Sequence, residues 1–438
     1  MVRFRQKRFA VLAAVLLALT LVVGCSGETS VDDGTDVSGA DVTDETGEDA
    51  SDNSGDEDAN TNDNSENGNS NSNSNNSNDG VYVQILDGDK TVDIPGDYST
   101  LQQAVDELSA KYRPQQGTRI ILNIESGHAP SSGLQVEGGD FGHFWIRSED
   151  STVTVAGDFS GDFLRGDYAR LPVLDALIDM DGQGEDGVYF GESSTARIKA
   201  DAGIMNAAEN GVFGWNGRMY MENSVVTGSG VDNLRISNSD VHARFSDLSG
   251  ADRNNLRASY GSSVRSTFCD LSDAGAHGVY AVRSRVIAES SDITNAGQHA
   301  VFANRGSTVH LTENNGISDL SNPGSRGIFA TNASTVEGQE VQVHGASNEG
   351  VRAQQNSTVS LRDSDLENND RAAAAVSGSR IELLNATARN STSSSDLVVL
   401  DGGMIVADGT QTTSGSPAVG DVNLGSFNQW EARGVIFD

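Results

Sequence analysis

Residues 277–311 read HGVYAVRSRVIAESSDITNAGQ and then HAVFANRGSTVHL, and the architecture of the chain can be inferred from these two segments. The second segment repeats the first after 22 residues. Each copy opens with small, aliphatic and aromatic residues, passes a polar bend and continues as a β-branched strand. A unit this short cannot bury its own apolar side, so it must stack on further copies of itself.

The repeat extends through eight anchor positions at intervals of 22 to 27 residues. These anchors are Gly187, Gly211, Asn233, Asn255, Gly278, Ala300, Gly327 and Gly350. The longest interval contains residues 322–324, Asn-Pro-Gly, which predicts a loop inserted there. A period near 22 with three short strands per unit predicts an all-β protein, a single-stranded right-handed parallel β-helix. Leucine-rich repeats would need Leu at fixed spacing, and a propeller would need about twice the period.

One amphipathic helix precedes the repeats. Ser99 is the predicted N-cap, with Gln102 three residues later completing a capping box. The apolar face comprises Leu101, Ala104, Val105, Leu108 and Tyr112, and Pro114 and Gly117 end the helix. Because a stacked β structure has an open end, we expect an N-terminal capping α-helix. The predicted parts are a cap with the first coils over 81–185, and coils with a C-terminal cap over 186–438.

The first 80 residues have the pattern of an export signal and a tether. Residues 1–24 combine four basic residues with an apolar run, and Gly24-Cys25 resembles a lipoprotein cleavage box. We therefore expect a lipid on Cys25 to provide the contact with the membrane, at the outer membrane or cell surface. Residues 25–80 contain sixteen acidic and no basic residues, which predicts a disordered acidic tether.

The charge balance restricts the class of ligand. The chain carries a formal net charge of −34, and the repeats are acidic even without the tether. This argues against nucleic acid or anionic lipid as a partner of the repeats. Cys269 is the one cysteine besides Cys25, so no internal disulfide is expected.

Several stretches resemble the β-helix domains of bacteriophage tail fibres and tailspikes, within the wider pectate-lyase-like superfamily. They are YSTLQQAVDEL at 98–108, GVYAVRS at 278–284, AVFANRGSTV at 300–309 and DLVVLDGGMIVADGT at 396–410. Together with the signal-like residues 1–24 and Cys25, the resemblance implies a surface-anchored lipoprotein that recognises an extracellular or cell-wall polysaccharide. If it is catalytic, it implies a polysaccharide lyase or glycoside hydrolase. A non-catalytic adhesin or structural spacer is the alternative, and monomer and trimer both stay open.

A column of aromatic and arginine residues lies two positions after the anchors: Tyr189, Phe213, Arg235, Arg257, Tyr280, Phe302, Phe329 and Arg352. Their neighbours are aliphatic or small, so period-2 alternation places the column outside. One interpretation is a face that stacks on sugars and binds carboxylates. The other is a solvated stripe whose rings pack on each other.

The best catalytic candidates are Tyr280, His277, His299 and Arg257, and Arg283 and Arg305 at the next bend are candidate substrate-binding residues. A uronate lyase needs a base and a group that neutralises the carboxylate, and these residue types supply both. The alternative is that they are ordinary ladder and turn residues.

A recurring Asp at another corner could bind Ca²⁺, but more often such residues cap turns. The positions are Asp247, Asp270, Asp292 and Asp365. Turn capping is the favoured interpretation of these aspartates, with Ca²⁺ binding as the alternative. No other cofactor is expected.

Overall fold

Each turn of the chain contributes a strand to each of three parallel ladders, because the apolar side of one repeat can be buried only against the next. The computed structural model describes residues 83–311, 318–393 and 395–412, with the backbone of three short strands beyond them. These residues form a parallel β-helix of about twelve turns, which confirms the predicted architecture. The signal, the tether and Cys25 lie outside the described residues.

The first ladder comprises Ser132–Asp140, the first half of Ser160–Asp175, Val188–Phe190, Val212–Trp215, Asp232–Ser237, Asn254–Ser259, His277–Val282, His299–Asn304, Arg326–Ala330, Glu349–Ala353, Arg371–Ala375, Leu397–Val399 and Ala418–Val419, the last of which also pairs antiparallel with Val422–Asn423. The second comprises Lys90–Ile94, Ile120–Ile124, Phe144–Ser148, the second half of Ser160–Asp175, Thr195–Ile198, Arg218–Glu222, Asp240–Arg244, Ser263–Thr267, Arg285–Glu289, Thr308–Leu311, Thr335–Gln339, Thr358–Arg362, Arg380–Leu384, Met404–Asp408 and Val435–Ile436. The third comprises Val153–Thr154, Leu177–Asp179, Gly203–Met205, Val225–Thr227, single-residue bridges at Asp247, Asp270 and Asp292, then Ser318–Asp319, Val341–His344, Asp365–Glu367, Thr387–Arg389 and Gln411–Thr412. Gln84–Leu86 and Tyr112–Pro114 form a separate parallel pair.

The core is a set of aliphatic columns that run the length of the helix. One column of the first ladder is fully buried and in register: Val188, Val212, Leu234, Leu256, Val279, Val301, Ile328 and Val351. Side-chain volumes compensate between turns: a Cβ on Gly214 would lie 2.2 Å from the ring of Phe190 on the preceding turn. Burial of these columns is the dominant stabilising contribution.

The helix runs over Leu101–Lys111 and covers the start of the first ladder. Its N-cap is Thr100, whose side chain accepts a hydrogen bond from the backbone N–H of Gln103 at 3.1 Å. The predicted cap at Ser99 is therefore wrong by one residue, and the helix ends before Pro114 because Tyr112 is already extended. Gln102 accepts a hydrogen bond from the N–H of Gln135, in the first strand of the ladder, at 2.9 Å. A strand-edge donor is thus satisfied by the cap.

The inserted residues do not lie where the sequence placed them. Asp319 bridges to Asp292, and the N–H of Gly324 donates to the carbonyl of Ala296 at 2.7 Å. Residues 322–324 are therefore in register with the preceding turn, and the predicted loop there is wrong. Most of the extra length lies between Leu311 and Ser318, in the undescribed residues 312–317.

Among the described residues, the short helix is too small to cross a bilayer, and no membrane-spanning helix is found.

Candidate functional site

The predicted column is continuous on the outer side of the first ladder. Tyr189, Phe213, Arg235, Arg257, Tyr280, Phe302, Phe329 and Arg352 pair in this order along consecutive rungs. All are half-buried, while their neighbours, such as Val279 and Ala281, are fully buried. The alternation is therefore confirmed. We call this surface the first-ladder face.

The aromatic residues of this face pack on one another. The rings of Phe302 and Phe329 lie 5.1 Å apart and nearly parallel, at 8°, and the ring centres of Tyr280 and Phe302 are 5.2 Å apart. Ring faces that cover each other are not free for a sugar to stack on. The packing alternative left open by the sequence therefore describes residues 280–329.

His277 and His299 are built into the same cluster. Their rings stack 5.1 Å apart at 17°, and His277 also lies 5.4 Å from the ring of Tyr280. Burial lowers the pKa of His277 to about 4, with the charge of Arg253 adding to the effect. Burial and the neighbouring His277 lower the pKa of His299 to about 3. Both imidazoles are neutral near pH 7, and only His277 remains half-exposed.

The turns before Tyr280 hold a group of arginines around one carboxylate. Asp232 has a fully buried side chain, and its Oδ1 accepts a hydrogen bond from Asn254 Nδ2 at 2.6 Å. Arg253 Nε lies 3.9 Å from Oδ1, and Arg257 Nη1 lies 4.0 Å from Oδ2. Burial raises the pKa of Asp232, and the arginines oppose this. Arg235 lies on the same rung as Arg257 in the preceding turn and makes no ion pair with any described residue.

At the C-terminal end of the first-ladder face, the arginine charges are paired with a carboxylate of the protein itself. Glu349 accepts a hydrogen bond from Arg326 Nε at 2.7 Å and another from Arg352 Nη1 at 3.0 Å. Burial alone would raise the pKa of Glu349, but the two guanidiniums outweigh it and the pKa is lowered. Arg352 is therefore less available to a ligand than Arg235. Arg283 and Arg305 lie on exposed turns, and no hydrogen bond, ion pair or ring contact joins them to Tyr280 in the described chain.

The near end of the face contains residues that sequence reasoning missed. The guanidinium of Arg165 lies 4.0 Å from the ring of Tyr189, and it pairs with Asp162 at 3.1 Å. A cleft of about 460 Å³ opens beside it, with Gln102 of the helix on its other wall. Arg165 stands one rung before Tyr189, so continuing the column by one period toward the N-terminus could have found it.

Two of the four corner aspartates, Asp247 and Asp270, cap turns, whereas Asp365 lies in a strand with its Oδ2 3.7 Å from Nε2 of His344. Asp247 Oδ1 accepts hydrogen bonds from the N–H and hydroxyl of Ser249 at 3.1 and 2.6 Å, and Asp270 bonds Ser272 in the same way. Within the described ranges, no three His, Cys, Asp or Glu side chains converge as a metal site would require. Cys269 is buried, and burial raises the pKa of its thiol.

The fold and this face define a parallel β-helix protein. No protein-family model and no curated protein matches the sequence. Solved structures with a similar architecture include the A-module of the mannuronan C-5 epimerase AlgE4 of Azotobacter vinelandii, at 13% identity and TM-score 0.47, covering 76% of this chain and 96% of that one. The periplasmic alginate epimerase AlgG has 10% identity and TM-score 0.38, covering 80% and 82%. The catalytic domain of a GH87 alpha-1,3-glucanase in complex with tetrasaccharides has 11% identity and TM-score 0.27, covering 80% and 67%.

Proposed function

We propose that the first-ladder face recognises an acidic polysaccharide, and that Arg235 and Arg257 hold its carboxylates. The observation that carries this proposal is the excess of guanidinium charge around Asp232. Arg235, Arg253 and Arg257 surround one buried carboxylate in a domain that is otherwise acidic. Such a group is suited to carboxylates that arrive at regular spacing along a polymer, because planar guanidinium groups pair with them through two hydrogen bonds.

Unpartnered polar atoms support the same location. Asp232 Oδ2, Asn254 Oδ1 and Arg257 Nε are buried and have no hydrogen-bond partner within the described residues. Buried polar atoms are nearly always satisfied, so a cluster on adjacent rungs indicates a position where solvent or a ligand completes the bonding.

Catalysis would centre on Tyr280 in this proposal. It is the half-exposed phenol nearest to Arg257, and the neutral His277 lies beside it. A proton transfer at a uronate carbon would need the phenol as the acid or base, with Arg257 neutralising the carboxylate. His299 is 8% exposed, so its contribution would be to hold the ring stack in place.

The proposal also assigns a location. The signal-like residues 1–24 and the lipid expected on Cys25 would export the protein and anchor it at a membrane surface. The acidic residues 25–80 would hold the β-helix away from that surface. Monomeric and trimeric forms are both compatible with a polysaccharide bound on one face of each chain.

A second candidate function is a non-catalytic adhesin or spacer of the kind found in tail fibres. The observation that favours it is the part of the face whose side chains already bind one another. The rings of Phe302 and Phe329 stack, and Glu349 forms ion pairs with both Arg326 and Arg352. A surface whose side chains are already paired in this way can serve a purely structural role without binding a ligand.

A binding assay separates the two. Titration calorimetry of the full chain with polygalacturonate, alginate and neutral dextran would be compared with Arg257→Ser. Loss of one charge-assisted contact costs about 1.5–3 kcal/mol, or roughly ten- to a hundredfold in affinity for the acidic polymers. Arg380→Ser is the matched control, because Arg380 lies on the second ladder and already pairs with Glu382. Equal affinities of wild type and Arg257→Ser would refute the proposal.

A further inference from the structure

The second ladder carries a separate surface that the function proposed above does not use. Over its strands between Thr195 and Glu289, the exposed outward side chains include Arg197, Arg218, Tyr220, His242, Arg244 and Arg265. We call these six residues the second-ladder face. Arg197, Tyr220, His242 and Arg265 pair on consecutive rungs, so they form one line along the helix.

Aromatic rings on this surface are unusually open to solvent. Tyr220 is 46% exposed, and its ring centre lies 5.5 Å from that of His242. Trp215 is 41% exposed at one edge of the face, where its indole N–H donates to Glu192 at 3.2 Å. Phe245 is 44% exposed at the other edge and stacks on Phe268 at 5.1 Å. A larger part of each of these side chains is exposed than of the half-buried first-ladder rings, so they have surface available for a ligand.

The charge of the surface is opposite to that of the domain. Its outward positions from Thr195 to Glu289 carry Arg197, Arg218, Arg244, Arg265 and Arg285 against Glu222, Asp240 and Glu289. Arg265 pairs with Glu289 at 3.1 Å, whereas Arg197, Arg218 and Arg244 make no ion pair with any described residue. Unpaired guanidiniums on consecutive rungs, in a chain of net charge −34, make a local attraction for anions.

The basic character continues toward the N-terminal turns. The ring of Trp145 has the guanidinium of Arg119 at 4.1 Å, that of Arg147 at 5.6 Å and the ammonium of Lys199 at 5.1 Å. Arg147 also pairs with Asp175 at 2.7 Å. Three cations around one half-buried indole extend the positive potential along the same ladder.

We propose that the second-ladder face is a binding surface for an acidic polysaccharide, in addition to the first-ladder face. Rungs about 4.8 Å apart place its four strands over about 14 Å, enough for several sugar rings. The arginines would pair with carboxylate or sulfate groups, while Tyr220 and the edge aromatics would contact the apolar faces of the sugars. Nucleic acid fits less well, because duplex DNA carries one charge per about 1.7 Å of its axis. The acidic remainder of the domain would repel it more strongly than a uronan, which carries one carboxylate per sugar ring.

The two surfaces are independent. They lie on different ladders, and two to four turn residues, such as Arg283 and Ser284, separate their strands in the coils of the second-ladder face. Two binding faces on one rod would allow a single protein to join two polymer chains, or to hold one chain with higher avidity.

The test measures binding of the full chain, kept in detergent because of its apolar N-terminal run, to polygalacturonate, dextran sulfate and neutral dextran. The double variant Arg197→Ser/Arg218→Ser removes two unpaired charges. Its matched control is Arg362→Ser/Arg380→Ser, which removes the same charge from the same ladder outside the face. Both pairs are compared in the wild-type background and with Arg257→Ser, so that a failure of the first-ladder proposal is seen separately.

We expect the Arg197/Arg218 variant to bind both acidic polymers about tenfold more weakly in either background, since each exposed charge contact contributes only modestly to affinity. The control should bind as wild type does, and melting temperatures should be unchanged because all four arginines are exposed. Equal weakening by the control would show that net charge alone is sensed and would overturn the proposal. Equal binding by wild type and the Arg197/Arg218 variant would also overturn the proposal. The same result is expected if the acidic residues 26–80 bind to the face and keep the polymers away from it, and that outcome would overturn the proposal too. Tighter binding of duplex DNA than of either polysaccharide would overturn the assigned ligand class.

Discussion

The guanidinium of Arg257 lies 5.6 Å from the ring centre of Tyr280, one rung further along the first ladder. This contact joins the arginine group around Asp232 to the aromatic stack that continues through Phe302. The charged half and the stacked half of the face therefore meet at one residue pair. Any chemistry at the proposed site would take place at this junction.

The role of the phenol can be tested with Tyr280→Phe. If Tyr280 acts as the acid or base, the variant should keep its affinity for polyuronate and lose turnover by at least a hundredfold, the lower range of general acid–base contributions. Turnover would be followed by the ultraviolet absorbance of unsaturated uronate and by NMR of the sugar stereochemistry. A pure binding module would show no turnover in either protein and unchanged affinity.

The inward orientation of Val279 predicts a large stability difference between two similar substitutions. Val279 is fully buried between Leu256 and Val301, so Val279→Asp would bury an unpaired charge at a cost of several kcal/mol. Tyr220→Asp, at a 46% exposed position, should cost less than about 1 kcal/mol. Urea denaturation measures both. Equal losses would contradict the observed alternation.

The two buried histidines predict destabilisation by acid. Between about pH 6.5 and pH 4, the unfolded chain takes up protons that folded His277 and His299 do not, because their folded pKa values are about 4 and 3. The contribution of these two histidines to the free energy of unfolding should therefore fall as the pH drops through this window, by on the order of a few kcal/mol. In His277→Phe/His299→Phe this part of the pH dependence should disappear, whereas the exposed His242→Phe should retain it. A double variant that follows the wild-type curve would contradict the assignment.

The carboxyl group of Asp186 predicts the opposite dependence of stability on pH. Burial, together with the charge of Asp162, raises its pKa to about 7, against the hydrogen bonds from Asn210. The folded protein then holds a proton that the unfolded chain has lost above about pH 4, so the contribution of Asp186 to stability falls as the pH rises from about 4 to about 7 and changes little above that. Asp186→Asn keeps the acceptor oxygen and should stabilise the protein at pH 8 by about 1–3 kcal/mol, with little change at pH 4. Denaturant midpoints at the two pH values provide the check.

The anchor prediction concerns Cys25. If a lipid is attached there, Cys25→Ser should either release the protein from the membrane fraction or leave it with its signal uncleaved. Fractionation and mass spectrometry of the N-terminus measure this directly. Unchanged size and unchanged membrane association would mean that another segment holds the protein.

Much of the fold followed from the chain itself. The 22-residue repeat required stacking, and alternation within segments such as Val279–Tyr280–Ala281 separated core from surface. These are local properties, because in an extended strand each side chain points opposite to its neighbour whatever surrounds it. The same logic located the column of Tyr280, although it left open whether its rings would bind sugars or one another.

The exposure of the outward side chains depends on how successive turns stack on each other. His299 is covered because Phe302 and Phe329 close over it, and Arg352 is occupied because Glu349 lies within reach. Tyr220 lies on an outward position of the same kind and remains open. Availability depends on side chains one turn before and one turn after, about 22 residues away in the chain. The sequence therefore determined the direction in which each side chain points, and stacking of the turns determined what it meets there.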